Sequence, residues 1–81
     1  MARKQVVEAI KAMGLRCKYI PETGEYRVAP NYGPFPGGRG FQAYYLKREE
    51  DGAYYTEDKE DALGTARDMV SRGLHQANVN S

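Results

Sequence analysis

The residues with most scope for chemistry lie in Asn31–Phe41, NYGPFPGGRGF, where four glycines, two prolines, three aromatic residues and one arginine share eleven positions. Gly38–Ala43, GRGFQA, has the spacing of a dinucleotide-binding turn. That site needs a strand before the glycines and a helix opening at them. A strand is expected to follow instead, and the chain is too short for the full unit. A phosphate-cradling P-loop is excluded because no Lys-Ser or Lys-Thr follows the glycines. Arg39 between glycines is one unit of the Arg-Gly segments that hold RNA by repetition, and one unit has little specificity. The segment reads as a surface connector between two hairpins, with Tyr32, Phe35 and Arg39 as candidate partner contacts, because aromatic side chains lose little freedom on binding.

Other reactive residues are few. One cysteine, Cys17, and one histidine, His75, cannot form an intrachain disulfide or a Cys/His zinc site. Cys17 falls on the apolar face of an expected strand, where a thiol is inert. His75 falls in the expected tail. Glu49–Asp51 and Glu57–Asp61 read as a hairpin tip and a helix first turn, not as a calcium loop. No catalytic, metal or cofactor residues are expected, and the chain is not read as an enzyme.

The elements that position these residues follow from periodicity. Val6, Val7, Ile10 and Met13 recur at helical spacing, so a helix is expected from Lys4 to Met13, ended by Gly14 and lacking a good N-cap. LRCKYIPETGEYRVAP reads as a hairpin turning at Pro21–Gly24. Ile20 then faces Glu25, Tyr19 faces Tyr26 and Cys17 faces Val28. Cys17, Tyr19, Tyr26 and Val28 share the core face, and Lys18, Ile20, Glu25 and Arg27 the solvent face.

FQAYYLKREEDGAYYT reads as a second hairpin turning at Asp51-Gly52. Its tyrosines fall on both faces, which makes Tyr44, Tyr45 and Tyr54 candidate partner residues. TEDKEDALGTARDMVSRG reads as a helix capped by Thr56 or Asp58 and ended by Gly73, with Ala62, Leu63, Ala66, Met69 and Val70 facing inward. Gly64 within it suggests close approach to the sheet or the first helix.

These elements make an α+β, two-layer αββββα-type domain: an antiparallel sheet of three or four strands with two helices on one face. Residues 1–74 are expected to form the single domain and 75–81 a flexible tail. Helix, strands and helix also follow one another in double-stranded-RNA-binding domains, but the acidic start TEDKEDA would repel phosphates.

GEYRV followed by AYYTEDKEDALGTARDM resembles short proteins carried by tailed bacteriophages and prophages. The resemblance runs from the first helix through Met69. It implies a small non-enzymatic accessory protein that binds host or phage macromolecules, and it carries over no active site.

Twelve basic and eleven acidic residues give a net charge of +1, so no global field draws the chain to nucleic acid. Residues 1–28 hold six basic and three acidic residues, or +3, and the remainder six and eight, or −2. No run approaches the ~20 apolar residues of a membrane span. Glu8 and Lys11 break the apolar start that a signal peptide would need. The sequence therefore points to a cytoplasmic module with a protein partner. The alternative is a weak nucleic-acid binder using sheet tyrosines with Arg39, Lys47 and Arg48. A thin core with tyrosines outside it also allows a homodimer.

Overall fold

The computed structural model describes residues 1–35 and 39–75. Its elements are α1 (Arg3–Ala12), β1 (Arg16–Ile20), β2 (Glu25–Ala29), α2 (Arg39–Asp51), β3 (Tyr54–Thr56) and α3 (Lys59–Ser71). The three strands form one antiparallel sheet in the order β1-β2-β3, an α+β architecture.

The first hairpin has the expected register, with Cys17 opposite Val28, Tyr19 opposite Tyr26 and Ile20 opposite Glu25. Gly24 supplies the positive φ that its turn requires. Cys17, Tyr26 and Val28 are buried in one cluster with Val6, Ile10 and Leu15 and with Ala62, Leu63, Ala66 and Met69 of α3. α1 packs on β1 and α3 on β2 and β3, so these two helices cover the face that carries Cys17 and Val28.

Helix ends follow local chemistry. Asp58 caps α3 by accepting from the Glu60 N–H at 3.0 Å, and its own N–H donates to Thr56 Oγ1 at 3.1 Å. Gly14 and Gly73 terminate α1 and α3 with φ of 90° and 75°. Ala2, at the N-cap of α1, has no side-chain oxygen. The start of that helix is held instead by Gln5 Oε1, which accepts from the Ala2 N–H at 2.7 Å, and by Lys59 Nζ, which donates to the Met1 carbonyl at 2.7 Å.

Three expectations are corrected. Residues 41–48 are helix, not strand, and β3 pairs with β2 through Tyr26–Thr56, Arg27–Tyr55 and Val28–Tyr54. Gln42, Ala43, Leu46, Lys47, Arg48, Glu49 and Glu50 all favour helix, and that run outweighs the strand preference of Phe41, Tyr44 and Tyr45. Asp51-Gly52 consequently closes a helix, with the Gly52 N–H donating to the Arg48 carbonyl at 3.1 Å. Gly52 is not at positive φ. Its lack of a side chain serves a close approach, because a Cβ there would sit 3.0 Å from Pro30 Cγ.

The connector is also more than a surface loop. Pro30 is fully buried, the Asn31 N–H donates to the Leu74 carbonyl at 2.9 Å, and the Tyr32 N–H donates to Glu49 Oε2 at 2.7 Å. Pro36, Gly37 and Gly38 lie outside the described residues, as do residues 76–81 of the expected tail. Gly64, finally, is exposed, and a Cβ there would meet nothing within 4 Å. No close approach accounts for it.

Candidate partner-binding surface

The buried carboxylate of Glu49 organises the surface beside α2. Glu49 is 2% exposed and accepts from Arg16 Nε at 2.7 Å, from Arg16 Nη2 at 3.4 Å and from the Tyr32 N–H. One residue on, Glu50 Oε1 accepts from Arg27 Nη2 at 2.9 Å, and Glu50 Oε2 accepts from the Tyr55 hydroxyl at 2.7 Å. The Tyr55 and Arg27 contacts hold the Glu50 carboxyl below its ordinary range. Arg16 and Arg27 alternate with Cys17 and Val28, which places them on the sheet face turned away from α1 and α3. The last turns of α2 are thus joined to that face by ion pairs.

From Gly40 on, the rest of α2 is exposed, apart from half-buried Tyr45. Phe41, Tyr44 and Leu46 are 54, 55 and 44% exposed. Phe41, Tyr44, Tyr45 and Arg48 fall at i, i+3, i+4 and i+7, one stripe along the helix. The connector adds Tyr32 and Phe35. Tyr45 lies 6.2 Å from the Phe35 ring in a stacked arrangement, 6.2 Å from Tyr32, and 5.1 Å edge-on from Tyr44. Arg48 sits over the Tyr32 ring at 5.4 Å and the Tyr44 ring at 5.8 Å, and Arg16 sits 5.8 Å from the Phe35 ring.

Of the residues singled out in the sequence, Tyr32, Phe35, Tyr44 and Tyr45 come together here. They do so on a helix and its approach, not on the opposite faces of a hairpin expected for Tyr44 and Tyr45. Lys47 is exposed on the same helix. Arg39 opens α2, and its side chain lies outside the described structure. Tyr54 stands apart: its hydroxyl donates to Asp61 Oδ2 at 2.6 Å, a contact that raises its pKa above the ordinary tyrosine value. Glu49, Arg16 and Arg27 were not singled out as a site. Their only sequence signal is charge at alternate strand positions and near a helix end.

Helix α2 opens at the glycine-rich turn, contrary to the strand expected there. A dinucleotide site still does not form, because β2 ends at Ala29, well before Arg39, and its neighbours are antiparallel. Cys17 is buried, and desolvation pushes its pKa up to about 11 despite the opposing charge of Lys11. His75 lines a concavity of about 320 Å³ with Met13, Arg67 and Val70. Its Nδ1 is buried without a hydrogen-bond partner among the described residues. No group of three or more His, Cys, Asp or Glu residues is placed to hold a metal ion among the described residues. No helix among them is long and apolar enough to cross a membrane. No family model, curated protein or solved structure matches this chain.

Proposed function

We propose that this protein is a small, non-enzymatic binding module of the cytoplasm that acts through protein–protein contact, with α2 and its adjoining aromatic residues as the partner face. One observation supports this most: α2 carries Phe41, Tyr44 and Leu46 largely exposed while its C-terminal turns are tied to the sheet by Glu49 and Glu50. A thirteen-residue helix is marginal alone and normally gains stability by burying an apolar stripe. Here ionic anchoring leaves the stripe uncovered. Tyrosine, phenylalanine and arginine side by side match the chemistry of interface centres. The resemblance to short phage and prophage proteins fits such an accessory role, and a second copy of the chain is one partner the face could take.

A nucleic-acid reading draws on Arg48 over Tyr32 and Tyr44, which resembles a stacking platform. Glu50 and Asp51 at the end of α2 weigh against it, since neither favours phosphate.

The test is affinity capture with the wild-type protein and with Phe41→Ala/Tyr44→Ala, each with and without nuclease. A protein captured by wild type, retained after nuclease and lost with the double variant is expected. Capture that survives the double substitution, or that vanishes with nuclease, would overturn the reading.

A further inference from the structure

β1 is an edge strand: it pairs with β2 on one side, and no strand lies on its other side among the described residues. One side of its backbone therefore presents N–H and C=O groups without a ladder partner. Beside this strand lies a concavity of about 360 Å³ lined by Lys11, Leu15, Arg16, Cys17, Lys18 and Arg27. Four of these six are cations, none is acidic, and they come from α1, β1 and β2. Arg16 and Arg27 each have one carboxylate of α2 as partner. Lys11 and Lys18 are exposed, and neither makes a salt bridge among the described residues.

A lysine on an edge strand commonly guards against unwanted pairing. That role needs a single charge on the strand itself. It does not explain why α1 adds Lys11 to the same concavity, whereas Arg27 of β2 is already engaged by Glu50.

We infer that the open edge of β1 takes an extended acidic segment of a partner protein as an added strand, with alternate carboxylates meeting Lys18, and with Lys11 adding positive charge to the same concavity. A peptide satisfies both the N–H and the C=O groups of the edge, whereas a phosphodiester chain supplies only acceptors. Five residues of strand span roughly 16 Å, enough for two or three alternate acidic side chains on the Lys18 side. Apolar residues between them would face Leu15. This surface meets the aromatic site only at Arg16; among the described residues Lys11 and Lys18 touch none of its rings, so substitutions there test the edge independently of that site.

The probe is a fluorescein-labelled Glu-Val-Glu-Val-Glu peptide, followed by anisotropy. Saturable binding is expected, weakened roughly ten-fold or more by Lys11→Glu/Lys18→Glu and unchanged by Phe41→Ala/Tyr44→Ala. Lys18→Gln should give a smaller loss in the same direction, and both lysines are exposed, so the fold is retained. A peptide of the same charge, N-methylated at alternate residues, should fail to bind because it cannot extend the ladder. The inference is overturned if the acidic peptide does not bind or if the N-methylated peptide binds equally. It is likewise overturned if a Lys-Val-Lys-Val-Lys peptide binds equally, or if single-stranded DNA of matched charge binds more tightly.

Discussion

Arg16 Nε donates to Glu49 Oε1 at 2.7 Å, joining β1 to α2 across 33 residues of chain. The arginine is 40% exposed at its side chain and the glutamate only 3%, so the contact is a buried acceptor held by a half-exposed donor. The Tyr32 N–H completes the carboxylate's partners and fixes the connector to the same point. Removing the arginine leaves a buried charge with a single backbone donor. Arg16→Ala should therefore cost roughly 2–3 kcal/mol in denaturant unfolding. Glu49→Gln, which keeps the shape and one acceptor, should cost less. Equal and negligible losses in both variants would mean that α2 is held by something else.

Two glycines give opposite expectations. Gly64 lies inside α3 with open space where a Cβ would go, so Gly64→Ala should stabilise the protein by about 0.5–1 kcal/mol. Gly52→Ala would press on Pro30 Cγ at 3.0 Å and Cδ at 3.3 Å, and should destabilise by roughly 1 kcal/mol. Thermal melts of the two variants moving in the same direction would contradict the placement of one of them.

Local signals carried most of the core. Alternation in RCKYI and EYRVA, with a Pro-Glu-Thr-Gly turn between them, sets the pairing of Cys17 with Val28 and Tyr19 with Tyr26. Gly14, Asp58 and Gly73 mark helix ends by their own backbone and capping chemistry. In the segment 41–51 the tyrosines and the Asp-Gly mimic a hairpin, and α2 has no buried apolar stripe to reveal a helical period. What fixes α2 is the meeting of Glu49 with Arg16 and Tyr32, residues far apart in sequence. No local pattern encodes that meeting. For the same reason the sequence marks Tyr32, Phe35, Tyr44 and Tyr45 singly and not as one surface.

Cys17 gives a pH-dependent test of the core. Burial raises its pKa to about 11 in the folded protein from the ordinary value of 9.0. The unfolded thiol ionises first as pH rises, so the stability this group contributes is full below pH 9.0 and is lost as pH climbs through about 11. Alkylation of the native protein should be slow at neutral pH, with a rate midpoint well above that of the urea-unfolded chain. Coincident midpoints would place the thiol in solvent and undo the hairpin register.

α2 is anchored by its carboxylates and leaves its aromatic stripe free. The most direct measurement compares the unfolding free energy of Phe41→Ala/Tyr44→Ala with that of Glu49→Ala. The double aromatic variant should lie within about 0.5 kcal/mol of wild type, as exposed surface substitutions do. Glu49→Ala should lose roughly 2 kcal/mol or more, because it strands the Arg16 guanidinium and the Tyr32 N–H. A large loss in the aromatic variant with little change at Glu49 would contradict the claim and make the stripe part of the protein's own core.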